Sequence, residues 1–401
     1  MIFVFYILAA VLVYLSFKSL SGGNDYLNYF KRELGKPPST YTPFATVIAS
    51  CRGLDEDLDA NLSALFEQDY PAYEVIFVVD DQNDPAVAVI EAVSHENAKT
   101  KLIVAPKATD SSQKVENLRE AVLHADGRSQ IYVFVDSDAR PSRTWLRSLI
   151  GPLENDKIGA ATGYRWFISK RPTFASELRN IWNASIASAL GPDTKSNFCW
   201  GGSTAIRRET FEKLDIREKW RGTLSDDFTV TRGMRNAGLP IQFVPQALTP
   251  SIENCTFREM LEFTTRQMKI TRVYAQKLWL MSFLGSGLFC VVMTAAFLIA
   301  ALSSRNGIEV FVAIATLVLV SAPSVGKSWL RLKAVRLVLS EHEAELRKQT
   351  FPQLTLWLLS PFVFLYNCSA ALISRRLVWR GTEYELVSST QTIVVKPGKS
   401  K

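Results

Sequence analysis

The chain has 401 residues, 47% of them hydrophobic, and carries 46 Lys and Arg against 39 Asp and Glu for a net charge of +7. That length admits one large domain with membrane segments, or two ordinary domains. The basic residues are not gathered into one arginine-rich run, which argues against nucleic acid as a partner. Three histidines without metal-ligand spacing argue against a zinc hydrolase, and five scattered cysteines read as reduced thiols rather than a disulfide framework.

Ile2 to Phe17 is apolar and uncharged and is followed by Lys18, Lys31, Arg32 and Lys36 instead of a small-residue cleavage site. It reads as a retained anchor over residues 1–17. The positive-inside rule then puts the bulky middle of the chain in the cytoplasm.

From Phe44 to Ser50 the chain is strand-like, and Leu58, Leu62, Leu65 and Phe66 recur at helical spacing. Tyr73 to Val79 reads as a second strand, with a helical stretch from Asp84. A third strand, Lys101 to Ala105, precedes a helix over Lys114 to His124, and a fourth, Ile131 to Val135, ends at Asp136. Alternating strands and helices imply an α/β fold with a mainly parallel sheet, whose ligands bind at the carboxyl ends of the strands. No Gly-x-Gly-x-x-Gly follows these strands, which excludes the usual dinucleotide fingerprint. Gly326-Lys327-Ser328 lacks the first P-loop glycine, since Ser321 stands there.

A diphosphate then needs another grip, and Asp136-Ser137-Asp138 supplies it. Two carboxylates at the end of a buried strand can hold Mn²⁺ or Mg²⁺ against a diphosphate, and the ion neutralises the departing nucleotide. Asp80, Asp81 and Asp84 end the second strand in a turn rich in Asp and Asn. Asp226 and Asp227 precede the helix-like Thr229 to Asn236 and suit either an N-cap or a general base.

Glu253 to Lys277 reads as an amphipathic helix lying at a membrane interface. Leu278 to Leu302 is long enough to cross a bilayer, Ile308 to Pro323 is shorter, and Phe351 to Ser374 is interrupted by Pro361. The loop Ser303 to Gly307 is expected on the non-cytoplasmic side. Lys327, Arg331, Lys333, Arg336, Arg347 and Lys348 mark 324–350 as an amphipathic helix flat on the membrane. Three crossings after the middle region would put Arg375, Arg376 and Arg380 outside, yet their charge argues for inside, so one late segment reads as re-entrant.

Taken together, Asn61-Leu62, Phe66-Glu67, Asp69-Tyr70-Pro71, Tyr73-Glu74-Val75, Asp81 with Asp84-Pro85, Asp136 and Asp227 resemble the family 2 and family 21 glycosyltransferases, most closely the ceramide glucosyltransferase group. The resemblance runs from about Thr46 to Lys277. It implies a GT-A-type nucleotide-sugar-binding domain over 42–277, membrane segments over 278–374 and a basic tail over 375–401. It also implies an inverting, metal-dependent transfer from a nucleotide-sugar donor, a UDP-sugar, to a lipid acceptor. Under it, Asp227 is the base with Asp226 in reserve, and Asp136 and Asp138 hold the metal. Ser50, Arg52, Asp81, Lys114, Asp136, Arg266 and Lys269 serve the donor. Trp200, Gly201, Gly202 and Ser203, in the run Phe198 to Ser203, line the acceptor end of the sugar site, and Asn117 joins Lys114 on the donor side. The family's Arg-Trp pair is replaced by Lys269-Ile270, which keeps a charge and loses a bidentate fork. Val378-Trp379-Arg380-Gly381 with Tyr384 resembles a tail motif of the same group. A processive polysaccharide synthase and a non-catalytic membrane protein stay open as alternatives.

Overall fold

The apolar run at the N-terminus continues well past the first basic residue as one helix, α1 (Ile2–Leu34). The computed structural model describes residues 2–95, 99–302 and 307–398. They fall into two units: a helical one of Met1–Lys31, Arg171–Ser188 and Asn254–Ser374, and an α/β one of Arg32–Lys170, Ala189–Glu253 and Arg375–Lys401.

After α1 the chain alternates β1 (Ala45–Ser50), α2 (Leu58–Ser63), β2 (Tyr73–Val79), α3 (Ala86–Ser94), β3 (Thr100–Val104), α4 (Gln113–Ala121), β4 (Ile131–Asp136), α5 (Trp145–Ile150) and β5 (Ala160–Ile168). Next come α6 (Phe174–Ala187) of the helical unit, then β6 (Ser203–Arg207), α7 (Arg208–Lys213), α8 (Ile216–Lys219), α9 (Asp226–Asn236) and β7 (Ile241–Ile252). These strands form a seven-stranded sheet in the order β3-β2-β1-β4-β6-β5-β7. Neighbours are parallel except where β6 pairs with β4 and β5. Strands β1, β2 and β4 are apolar on both faces and buried throughout most of their length, as a parallel sheet covered by helices requires. Ile48, Ile76, Phe134, Val115, Phe211 and Trp220 lie in the core on one side.

Register places the site. Ser50 stands opposite Asp136, and the last residues of β1 and β4 are therefore level at one edge of the sheet. Antiparallel β6 starts at that same edge, with Ser203 opposite Val135, so the residues just before it are delivered to the end of β4.

The helical unit continues with α10 (Phe257–Tyr274), α11 (Gln276–Leu302), α12 (Ile308–Val338), α13 (Glu343–Lys348), α14 (Thr350–Thr355) and α15 (Ser360–Ile373). A capping box between Thr256 and Glu259 starts α10. Helices α1, α11 and α12 are long and apolar enough to cross a membrane. The fourth apolar stretch breaks by 56° between Leu358 and Ser360, just before Pro361 at the start of α15, where a fixed φ suits a first helical turn. Residues 324–338 do not form a separate helix but the last part of α12, which runs on through Pro323. Ser303 to Asn306 of the expected outer loop lie outside the described residues.

Residues 375–398 fold as an antiparallel sheet of β8 (Arg376–Trp379), β9 (Thr382–Ser388) and β10 (Gln391–Lys396). Arg380 and Gly381 form the two-residue turn between β8 and β9, with φ of 48° and 78°, as a tight hairpin with matching twist demands.

Candidate active site

Three segments of the α/β unit converge at the carboxyl edge of the sheet. Strand β4 contributes Asp136 and, just beyond it, Asp138. Helix α4 contributes Lys114, its second residue, within the first turn after the N-cap Ser112, whose hydroxyl accepts from Val115 N. Helix α9 contributes Asp226 and Asp227 in its first turn, where the helix dipole favours negative charge.

Lys114 Nζ lies 2.5 Å from Asp136 Oδ1 and 3.4 Å from Asp226 Oδ1. Although burial opposes its charge, the two carboxylates hold its ammonium above the ordinary range. Asp136 is half-buried; desolvation raises its carboxyl, but Lys114 and Arg165 outweigh this and hold it below its usual value. Arg165, on β5, was not singled out from sequence. Its guanidinium reaches Asp138 Oδ2 and Asp136 Oδ2, each at 3.0 Å, and lies 4.7 Å from the Trp200 ring centre. The available signal was an arginine inside the apolar run Tyr164-Arg165-Trp166-Phe167, because a charge in a buried strand needs an opposite charge.

Burial pushes the Asp138 carboxyl up to about 6, and Asp226 likewise to about 6. Asp227 is held differently. Its Oδ1 accepts from the Ser225 hydroxyl and from Phe228 N, while Oδ2 meets only Gly201 N, at 3.4 Å. One oxygen is clamped and the other is nearly uncommitted, the posture a general base requires.

The glycines are explained by proximity. A Cβ on Gly201 would come within 2.3 Å of Asp226 Oδ2 and 2.8 Å of Lys114 Nζ, and one on Gly202 within 2.2 Å of the Trp200 ring and 2.7 Å of Asp136 Oδ2. The run Trp200 to Gly202 thus lies directly against the carboxylates. Ser203 is fully buried, accepting from Trp145 Nε1 at 2.8 Å, and serves packing at the start of β6.

The other donor-side residues are spread more widely. Ser50 Oγ accepts from Asn117 Nδ2 at 3.1 Å. Asp81 is exposed at the end of β2, accepting from Asn83 N and facing Lys107. Arg52 donates to Thr382 Oγ1 and to the Gly398 carbonyl. The tail sheet also places Arg380 against Asp55 and the Tyr384 hydroxyl against Gln113 N. Arg266 and Lys269 belong to α10 in the helical unit, where Arg266 lies 5.5 Å from the Phe263 ring centre and burial pulls the Lys269 ammonium below its usual range.

No cluster of three or more His, Cys, Asp or Glu side chains suited to a metal occurs among the described residues. Two hard carboxylates nevertheless fit Mg²⁺ or Mn²⁺, since such ions take one or two protein carboxylates and complete their shell with substrate phosphates and water. The buried Asp138 Oδ1 has no hydrogen-bond partner, as an oxygen meant for a cation would not.

Residues 4–392 match the Glycosyl transferase family 21 profile. The chain belongs to that family. This family 21 glycosyltransferase is 20% identical to ceramide glucosyltransferase 1 of Caenorhabditis elegans over 239 residues, covering 57% of this chain and 49% of the relative. With the Komagataella phaffii ceramide glucosyltransferase it shares 26% identity over 90 residues, covering 22% of this chain and 16% of the relative. With an N-acetylglucosaminyltransferase of Rhizobium meliloti it shares 25% over 254 residues, 58% of this chain and 57% of that one. The chain thus spans well under two thirds of the length of these relatives. Among solved structures, a mannosyltransferase from Pyrobaculum calidifontis in complex with GDP-Man and Mn²⁺ is similar at a TM-score of 0.43 and 20% identity, over 90% of this chain and 99% of that one. GalNAc-T7 with UDP, GalNAc and Mn²⁺ stands at 0.42 and 14%, over 54% and 44%. The α/β unit has a GT-A-type fold with a mainly parallel sheet.

Proposed function

We propose that this glycosyltransferase moves a sugar from a nucleotide-sugar donor, a UDP-sugar, to the hydroxyl of a lipid acceptor, with inversion and with help from Mn²⁺ or Mg²⁺. The observation that carries the reading is the cluster at the end of β4, where Asp136, Asp138, Lys114 and Arg165 face the first turn of α9. Asp136 and Asp138 would hold the ion, which supplies charge neutralisation for the departing diphosphate. Lys114 and Arg165 add positive charge beside the same leaving group.

Asp227 takes the proton from the acceptor hydroxyl through Oδ2, while Ser225 and Phe228 N keep its other oxygen in place. A single displacement by that hydroxyl, on the face opposite the leaving diphosphate, inverts the anomeric centre. Asp226, paired to Lys114, links the base to the donor side of the site.

Lipid as acceptor agrees with the ceramide glucosyltransferase relatives and with three helices apolar enough to span a membrane. The tail residues Arg375–Lys401 belong to the same unit as the carboxylate cluster, so an even number of crossings separates them. Helices α11 and α12 provide two, the bent stretch Thr350–Ile373 is read as re-entrant, and Lys18, Lys31, Arg32 and Lys36, which follow the apolar start of α1, favour a cytoplasmic α/β unit.

The test is incubation of the purified protein with radiolabelled nucleotide sugars and a total lipid extract. Label is expected to move into the organic phase, to stop with EDTA and to resume with Mn²⁺. Label retained as polymer on a size column, or no transfer with any donor, would overturn the reading.

A further inference from the structure

Three of the four oxygens of Asp136 and Asp138 are already taken by cationic side chains. Lys114 holds Asp136 Oδ1, and the two ends of the Arg165 fork hold Oδ2 of each residue. Only Asp138 Oδ1 is without a partner. A divalent ion approaching this pair in the donor-free protein meets a guanidinium at 3.0 Å from both carboxylates, and like charges so close oppose one another strongly in a buried site. It also finds only one carboxylate oxygen available there and, without a donor, no phosphate oxygens to complete its shell.

A diphosphate changes that balance. It brings negative oxygens for which a planar guanidinium is well shaped, so Arg165 can exchange its carboxylate partners for phosphate ones. The Trp200 and Phe167 rings, with centres 4.7 and 5.4 Å from its guanidinium carbon, give the side chain a surface to lie on as it shifts. Both Oδ2 atoms are then released to the ion.

We propose that Arg165 is a resident cation of the Asp136–Asp138 pair, occupying it until the donor diphosphate draws it away, so that metal and donor bind together and neither binds well alone. The proposal rests on the reading that these two carboxylates hold the ion. It makes Arg165 a positioning residue whose effect is the coupling between two ligands. By linkage, whatever the diphosphate adds to metal affinity the metal adds to diphosphate affinity.

The experiment is a titration of the full chain in detergent with Mn²⁺, free ion being read by electron paramagnetic resonance, with and without saturating UDP. Wild-type protein is expected to bind Mn²⁺ on the order of ten-fold more tightly with UDP present. Arg165→Met should bind Mn²⁺ about ten-fold more tightly than wild type in the absence of UDP and lose most of the coupling. Arg165→Lys, which keeps the charge without the fork, should fall between them, and it decides the matter if the Met variant does not fold. Mn²⁺ binding to wild type that is indifferent to UDP overturns the role of Arg165 and leaves the metal reading standing. So does Mn²⁺ binding that is unchanged or weaker in nucleotide-free Arg165→Met and Arg165→Lys. If wild type binds no Mn²⁺ even with UDP, the metal reading fails and the proposal falls with it.

Discussion

Strands β2 and β4 both run into aspartates at the same edge of one sheet, yet the two ends have different fates. At the end of β2, Asp84 is consumed by the backbone, accepting from Gly53 N and Ala86 N at 2.9 Å. Asp80 is buried with Lys107 beside it, and Asp81 faces solvent in a turn with Asn83. At the end of β4 the carboxylates are held almost wholly by side chains from other elements, Lys114 on α4 and Arg165 on β5. Backbone amides satisfy a carboxylate permanently, whereas cationic side chains can be exchanged for an incoming ion or phosphate. The β2 end is therefore chiefly a shaped turn, and the β4 end is a site in waiting.

The contrast is broken or sharpened by substitution. The largest effect is expected from Asp227→Asn, since a positioned base contributes about 10²- to 10⁴-fold in rate. Turnover in a labelled-donor assay should drop by that factor, while UDP affinity by calorimetry stays near the parent's. Gly202→Ala should follow at roughly 10²-fold. The added methyl would press on Trp200 and Asp136 at the β4 end while circular dichroism stays native. A wild-type rate in that variant would separate the glycine from the site.

Asp226→Asn tests the burial of charge. The folded carboxyl titrates near 6 against an ordinary 3.8, so its contribution to stability is fully present below about pH 4 and is lost as pH rises through 6. The asparagine variant should be more stable than wild type above pH 6, by up to about 3 kcal/mol, with the difference vanishing below pH 4 in thermal unfolding. Asp84→Ala at the β2 end should instead lower stability by about 1–3 kcal/mol at neutral pH, because the buried Gly53 N loses its acceptor. Loss of turnover in this variant beyond its loss of folded protein would show that the β2 end does more than shape a turn.

The first four strands and their carboxyl ends were readable because apolar runs followed by Asp are local patterns. Asp136, Asp138, Lys114, Gly201, Gly202 and the Asp226–Asp227 pair lie together at one edge of the sheet. Arg165 was hidden because its role depends on the register of β5 through antiparallel β6 to β4, a long-range relation that no spacing reveals. Ser203 looked like part of a ligand loop but begins a strand and packs on Trp145. The tail was legible as a motif and not as a sheet, since β8 has only four residues and the sheet closes through its pairing with β9. The extension of α12 through Pro323 ran against the usual breaking effect of proline.

The most direct measurement is thermal unfolding of wild-type and Asp138→Asn protein with UDP, each with Mn²⁺ and with EDTA. A ligand that binds only the folded state raises apparent stability. Wild type is expected to gain several degrees with UDP and Mn²⁺ together and little with UDP and EDTA, while Asp138→Asn gains little in either. An equal gain in the variant, dependent on Mn²⁺ as in wild type, would contradict the placement of the metal-diphosphate site at the end of β4.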